Sequence, residues 1–465
     1  MSVPVVTIAQ MREWEEMSWA AGRDVREVMR DAGAAIAARA SAMTCEGDSI
    51  LLLVGKGNNG GDTKLSADRL GGRKVRLLEV EDPLTAIEEI DIQLAARPAL
   101  VIDGLFGIGL NRSLNEDWRR LIECVNSSTC PLLAVDVPSG LNADSGEPMA
   151  AAIRADVTVT FAAPKLGLIK TSATEYTGRL EVAPDIGLID CPHDAELHWV
   201  LPGDFVGFPP SRPPNSHKGT FGHLGIIAGS VGWHGAAVLA ARAALRSQPG
   251  LVSVVTTEGA WPVVAAQLAQ PMVHPWSGTA RKVLSQCTAI LMGPGLAGDL
   301  PDEMREEISR LWREYPRPVI ADASALDLLP VGESAAGLRV ITPHPGEAAR
   351  LLDITVGKVQ ADRPATLREL AEKLGCHVIL KGNQTLSGGV TGRILCNSTG
   401  NPSLAQGGSG DVLAGFLGGL LAQPRLIESP GRTLAHSIWK HGLAADCLTQ
   451  ECAGWGMEEL IFALK

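Results

Sequence analysis

The chain has 465 residues, 45% of them hydrophobic and 20% charged, which supports two or three domains with full cores and excludes a disordered or fibrous protein. Its net charge of −11 excludes a nucleic-acid or anionic-membrane surface as the main partner and leaves room for a local basic pocket for phosphate. Nine cysteines without a Cys-x-x-Cys read as reduced thiols of a cytoplasmic protein and give no zinc-ligand spacing. Met1-Ser2-Val3-Pro4 has no basic region before an apolar run, and the apolar stretch Val412 to Leu421 is short and glycine-rich, so neither a secretory signal nor a membrane span is expected.

Residues 8–43 read as helix, with an apolar face through Ile8, Met11, Trp14 and Met17. Ile50 to Val54 is a buried-strand run that meets a glycine turn, followed by a helix over 62–71 and a strand at Lys74 to Leu78. Leu100 to Asp103 and Leu132 to Asp136 are strands that each end in Asp, with a helix over 115–126 between them, and Val157 to Phe161 is a later strand. This alternation predicts a parallel sheet wound with helices, whose ligands bind beyond the carboxyl ends of the strands. Asp103 and Asp136 belong at that edge.

Residues 202–216 carry five prolines and read as a semi-rigid linker. The boundary is placed there, giving domains 1–205 and 206–465. The α/β alternation then restarts. Strands are expected at His223 to Ala228, Leu251 to Thr256, Ala289 to Met292, Pro318 to Asp322, Val340 to Thr342 and Cys376 to Lys381; helices at 234–247, 345–352, 364–374, 410–422 and 430–450. The two halves share a style without an alignable repeat.

Three glycine-bearing loops follow strands in the first half: Gly55-Lys56-Gly57-Asn58-Asn59-Gly60-Gly61-Asp62, Asp103-Gly104-Leu105-Phe106-Gly107-Ile108-Gly109, and Asp136-Val137-Pro138-Ser139-Gly140. Glycines at a helix start let backbone N–H groups close on an anion, and three such loops at successive strand ends converge on one pocket. With Phe161-Ala162-Ala163-Pro164-Lys165, these motifs resemble the epimerase domain of the bifunctional NAD(P)H-hydrate repair enzymes over about residues 5–200. The resemblance implies a Rossmann-like fold that interconverts the R and S forms of hydrated NADH or NADPH. It places Asn58, Asn59, Gly60, Gly61 and Asp62 on the hydrate's phosphates, and makes Gly107, Ile108, Gly109, Leu110, Asn111, Arg112 and Ser113 a second cradle. It gives acid/base work to Asp136, and a potassium ion to Asn59, Asp103 and Ser139, whose hard oxygens suit a hard cation. After Gly-Gly-Asp the family pattern has glycine, whereas this chain has Thr63-Lys64. A left-handed residue 63 would distort the cradle; a helical one would not.

The second half carries Lys218-Gly219-Thr220-Phe221-Gly222-His223, Gly229-Ser230 to Ala237, Gly293-Pro294-Gly295, Thr342-Pro343-His344-Pro345-Gly346-Glu347, Lys381-Gly382-Asn383-Gln384-Thr385 and Thr399 to Asp411. Gly407, Gly408 and Gly410 before a helix can cradle phosphates, and Asp411 can take a proton from a hydroxyl that then attacks phosphorus. His344 reads either as a turn histidine or as a substrate contact, and Lys218 as a solvated charge. The ordered set resembles the ADP- or ATP-dependent NAD(P)H-hydrate dehydratases over about residues 215–462, with Ser409 where Thr is common and Ser403-Leu404 where Gly-Met is common. That family is ribokinase-like. The resemblance implies nucleotide at Lys381, Gly382, Asn383, Gln384, Thr385 and Gly410, the hydrate at Ala236, Gly295, His344 and Asp411, and Mg2+ on the phosphates. The implied chemistry is phosphorylation of the ring hydroxyl followed by loss of phosphate.

The rival readings are a ribokinase-like vitamin or sugar kinase with an accessory domain, and an N-terminal half that binds without catalysis. The epimerase-type motifs and the Thr-Pro-His-Pro-Gly-Glu stretch favour the two-step repair enzyme, acting on NADHX and NADPHX with ADP or ATP. ADP and a homo-oligomeric state are expected by resemblance.

Overall fold

The structure, a computed structural model, describes residues 2–298, 300–332, 337–452 and 454–464. The chain divides into two compact units, one of Val3–Trp199 and one built from Val200–Lys465 with Met1–Ser2. The division therefore falls ahead of the proline-rich stretch. That stretch opens with a 3-10 turn, Pro202–Phe205, and Phe205 is buried beside Val200 and Ala435, so its first residues belong to the C-terminal core rather than to a free linker.

The strands of the N-terminal unit are β1 (Val3–Pro4), β2 (Ser49–Val54), β3 (Lys74–Glu79), β4 (Leu100–Gly104), β5 (Leu132–Val135), β6 (Val157–Phe161), β7 (Arg179–Ala183) and β8 (Leu197–Trp199). A 6-stranded sheet runs β3-β2-β4-β5-β6-β7, parallel throughout, while β1 and β8 pair antiparallel. The period-two rule explains why these strands are apolar on both faces. Ile50, Leu52 and Val54 pack under helices Ile8–Ala20 and Val25–Met43, and Leu51 and Leu53 pack under Pro83–Ala95 and Glu116–Asn126.

The helix expected over 8–43 is two helices. Gly22 turns left-handed at φ 84, and the Asp24 side chain then caps Val25–Met43 by accepting from the Arg26 N–H. The helix expected from residue 62 begins at Asn58 and runs to Ala67. The Asn-Asn-Gly-Gly-Asp run is thus the first turns of a helix rather than a loop before one. Helix Pro83–Ala95, absent from the sequence reading, has the signal of a Pro at its first position after Asp82.

The C-terminal unit contains β9 (His223–Ile227), β10 (Leu251–Thr256), β11 (Met272–Pro275), β12 (Ala289–Met292), β13 (Val319–Ala321), β14 (Arg339–Ile341), β15 (His377–Leu380), β16 (Leu386–Gly388) and β17 (Ile394–Cys396). They are ordered β17-β16-β15-β14-β13-β12-β9-β10-β11. The pairs from β15 through β11 are parallel, and β16 and β17 extend the order by antiparallel pairing. Leu224 and Ile226 of β9 pack in one core with Ala237, Ala240 and Ala244 of helix His234–Arg246 and with Leu413, Ala414 and Leu417 of helix Ser409–Leu421. Those two helices meet closely: a methyl on Gly415 would lie 2.1 Å from the Ala240 carbonyl oxygen. Small residues on both sides thereby fix the helix that begins at Ser409. Helix Asp302–Glu314 was also unread, although Met304, Ile308, Leu311 and Trp312 give it a buried face at helical spacing.

Two candidate active sites

Parallel register lines up the carboxyl ends of the N-terminal strands: Val54 lies opposite Gly104, Asp103 opposite Ala134, and Val135 opposite Val159. The loops after β2, β4, β5 and β6 therefore open at one edge, onto a cleft of about 740 Å³. Asn58, Asn59, Asp62, Gly107, Ile108, Gly109, Leu110, Asn111, Arg112 and Asp136 line it. Gly60, Gly61 and Ser113 do not line it. Gly60 packs against the Gly55 backbone, and Gly61 faces the Met29 methyl.

Asp136 sits in the left-handed region at φ 61, a strained placement for a residue with a side chain. The strain aims its carboxylate at Lys165, whose Nζ is 2.5 Å from Oδ1, and the Thr160 hydroxyl donates to the same oxygen at 3.0 Å. Lys165 is buried and also donates to Thr160 Oγ1 and the Phe161 carbonyl. Asp62 is buried with no hydrogen-bond partner for Oδ1 among the described residues. Burial, with Asp136 and Glu15 nearby, pushes its carboxyl up to about 8. Burial also raises Glu15.

Asp103 is fully buried and pushed up to about 6 by that burial, which hydrogen bonds from Ser139 and Leu105 oppose. The Ser139 hydroxyl donates to its Oδ1 at 2.6 Å, and the Ser139 N–H to its Oδ2 at 2.8 Å. Ser139 Oγ accepts from the Phe106 N–H at 2.8 Å, and the Asn59 amide donates to the Phe106 carbonyl at 2.8 Å. Asn59, Asp103 and Ser139 are therefore joined around Phe106 as a set of oxygen donors with one carboxylate. That chemistry fits a monovalent hard cation.

Thr63 is helical and fully buried, and its hydroxyl donates to the Asn59 carbonyl at 2.8 Å. The helical alternative therefore holds, and this residue does not distort the turn. Its side chain fills the space beside Gly104, where an added methyl would lie 1.9 Å from Thr63 Oγ1.

In the C-terminal unit the register again aligns strand ends: Ile227 with Met292, Met292 with Ala321, and Ala321 with Ile341. Gly229, Gly293, Asp322, Thr342 and Lys381 all leave the sheet at this edge. Lys381 Nζ donates to Asp322 Oδ1 at 2.8 Å and lies 3.9 Å from Glu347 Oε2, and the Thr342 hydroxyl donates to Asp322 Oδ1 at 2.7 Å. Burial opposes the charge on Lys381, but Asp322 and Glu347 outweigh it and raise its pKa.

Gly408, left-handed at φ 97, starts helix Ser409–Leu421 and so turns the first helical N–H groups toward this cluster. A methyl on Gly410 would lie 3.3 Å from Lys381 Nζ. Asp411 follows; burial, with Asp322 added and Lys381 opposing, pushes its carboxyl up to about 7. Ala236 and Gly295 form a second wall, since a methyl on Gly295 would lie 2.8 Å from the Ala236 side chain. His344 caps helix Pro345–Leu352: its Nδ1 accepts from the Gly346 N–H at 3.0 Å, while its own N–H donates to Glu347 Oε2 at 2.8 Å. Its ring is half exposed, so the turn role and a substrate contact are compatible. The Lys381 to Thr385 loop is held from below by buried Arg363, which donates to the Leu380 carbonyl at 3.2 Å and to the Asn383 carbonyl.

The family models follow this division. One described as NAD(P)H-hydrate dehydratase matches residues 224–461, and one described as YjeF-related protein N-terminus matches residues 25–95 and 77–167. A bifunctional NAD(P)H-hydrate repair enzyme of Coxiella burnetii is 33% identical over 95% of this chain and 94% of its own length. The chain belongs to the bifunctional NAD(P)H-hydrate repair enzyme family. The repair enzyme of Escherichia coli is 35% identical over 88% of this chain and 82% of its own. A solved ribokinase-like superfamily protein of Enterococcus faecalis is 27% identical to it, with a TM-score of 0.51, covering 58% of this chain and 95% of that one.

Four side chains of this repair-enzyme family member escaped the sequence reading as site residues. Lys165 stood in a quoted motif, but its pairing with Asp136 spans 29 positions. Asp322 had a visible signal: like Asp103 and Asp136, it is an Asp at a strand's carboxyl end. Glu15 lies on the first helix and had none. Nor had His441, a buried residue of helix Pro430–Glu451, which meets the Ser409 backbone and is pushed down to about 4 by burial and by Lys381.

Proposed function

We propose that residues 3–199 interconvert the R and S hydrates of NADH and NADPH, and that residues 200–465 dehydrate the S form at the expense of ADP or ATP. The observation that carries this reading is Asp411, a carboxyl poised near neutrality at a glycine-flanked helix start and beside Lys381. Such a group takes the proton of the ring hydroxyl as its oxygen attacks the terminal phosphorus of the nucleotide. The N–H groups of the helix start offset the developing charge, and Lys381 steers the phosphates. With ADP, the transfer leaves AMP and a phosphorylated hydrate. Loss of phosphate and a ring proton then restores the dihydronicotinamide. Mg2+ would neutralise the nucleotide phosphates, with Asp322 and Asp411 as the nearby oxygen donors. ADP is the favoured nucleotide by resemblance to the bacterial two-domain enzymes.

In the N-terminal cleft, the carboxylate of Asp136 is oriented by Lys165 and Thr160, while Asp62 is held protonated by burial. A carboxyl group paired with a buried lysine, beside a second carboxyl that burial keeps protonated, suits removal and return of a proton. Asn58, Asn59 and residues 107–112 would hold the phosphates at the helix start. Asn59, Asp103 and Ser139 would hold K+, which supplies positive charge beside an anionic substrate. The enzyme would act in the cytoplasm as a homo-oligomer. No described helix is long and apolar enough to cross a membrane.

Two variants test the assignment. Asp411→Asn should abolish dehydration of the S hydrate and leave nucleotide binding in place; full activity would refute its role. Asp136→Ala should slow repair of the R hydrate alone; equal slowing of both forms would refute the two-site scheme.

A further inference from the structure

A second cavity, of about 590 Å³, lies in the C-terminal unit between the stretch Pro202 to Arg212, helix Ser409–Leu421 and helix Pro430–Glu451. It shares no lining residue with the Asp411 cluster, and its size is that of a small-molecule site. Three independent features of its wall point to one kind of occupant.

The first is charge. Arg212, Arg246, Arg425 and Lys440 line the cavity and no Asp or Glu does, in a chain whose net charge is −11. Arg212 lies 3.8 Å over the Phe221 ring and donates to the Gln248 carbonyl, and Arg246 donates to the carbonyls of Leu464 and Phe462. Carbonyls fix these guanidinium groups without cancelling their charge. Neither Arg425 nor Lys440 has a carboxylate partner among the described residues.

The second is unmet hydrogen bonding. His436, 5% exposed, and Trp439 line the cavity, and the buried His436 Nδ1 and Trp439 Nε1 have no partner among the described residues. Leaving such a group unsatisfied costs about 1–3 kcal/mol, so this wall holds polar capacity that the chain itself does not use.

The third is aromatic shape. The Phe205 and Trp439 rings are 5.0 Å apart, and His436 stands edge-on to Phe205 at 5.3 Å and to Phe208 at 5.1 Å. Packed rings make this part of the lining aromatic and apolar, the kind of wall on which an aromatic ligand packs.

We propose that this cavity binds a small aromatic phosphate, its ring against Trp439 and the phenylalanines and its phosphate on Arg212, Arg425 and Lys440. The probe is riboflavin 5′-phosphate, titrated by flavin fluorescence into the full chain with the nucleotide site filled by excess ADP. Riboflavin and inorganic phosphate are titrated in parallel. Riboflavin 5′-phosphate should bind about tenfold or more tightly than riboflavin, as expected for charge-assisted contacts. Inorganic phosphate alone should bind weakly. The double variant Arg425→Glu, Lys440→Glu should lose that advantage while its hydrate-repair rate, unchanged, reports an intact fold; Trp439→Leu should weaken both flavins alike. Equal affinity for the two flavins would overturn the proposal. So would inorganic phosphate matching the flavin phosphate, binding abolished by ADP, or binding that survives the double charge reversal. A dimer that the same reversal dissociates, with no flavin bound, would assign the cavity to a second copy of the chain and also overturn it.

Discussion

Asp62 shows how a single buried carboxyl links the site to stability. In the folded chain it rises to about 8 from an ordinary 3.8, through burial and through Asp136 and Glu15. A raised carboxyl binds an extra proton in the folded state, so its contribution to stability falls as pH climbs from about 4 and levels off above about 8. Asp62→Asn removes that penalty. The substrate-free variant should melt at about the same temperature as the parent near pH 4 and clearly above it near pH 8, a difference on the order of a few kcal/mol. Thermal unfolding at several pH values checks this, and an equal gain at every pH would contradict it. At this scale the sequence singled out Asp103 and Asp136 from the strands before them and Asp411 from the glycines before its helix, yet passed over Asp322, which also ends a strand. It was silent where one side chain orients another across the fold, as Lys165 does for Asp136, because nothing local marks a partner 29 positions away.

Elements explain how the chain accommodates Thr63, where the resemblance leads one to expect glycine. The helix begins at Asn58, so residue 63 needs no left-handed backbone, and the neighbouring strand end keeps Gly104 to make room. An added methyl at 104 would lie 1.9 Å from Thr63 Oγ1 and 2.7 Å from its Cβ. Gly104→Ala should therefore cost about 1–3 kcal/mol through overpacking. Thr63→Gly should recover much of that loss despite its own helix cost of about 1 kcal/mol. A double-mutant cycle by denaturant unfolding measures this coupling, and strictly additive effects would contradict the contact. Long strands and capped helices of the sheet cores were legible because both strand faces are apolar. The antiparallel strands β16 and β17 were not, since Leu386–Gly388 and Ile394–Cys396 sit among glycine and polar residues rather than in a continuous apolar run. The break between the first two helices was missed although Gly22 and the Asp24 cap mark it in the sequence, because apolar residues continue across it.

At the scale of the molecule, each unit has its own buried cores. Residues 3–199 and 200–465, expressed separately, should each fold cooperatively, and mixing them should restore repair of the R hydrate; failure of either piece to fold would contradict their independence. The order of two different α/β units along the chain was visible in the motifs. The position of the division was not, because prolines at 202–216 mark a stiff segment whether or not it packs, and Phe205 packs. The central claim is that nucleotide is consumed to restore a reduced nicotinamide rather than to make a stable phosphorylated product. The most direct measurement incubates the full chain with purified S-NADPH hydrate and ADP while following NADPH absorbance and AMP together. The two should rise in equal amounts; AMP formation without recovery of NADPH would contradict the account.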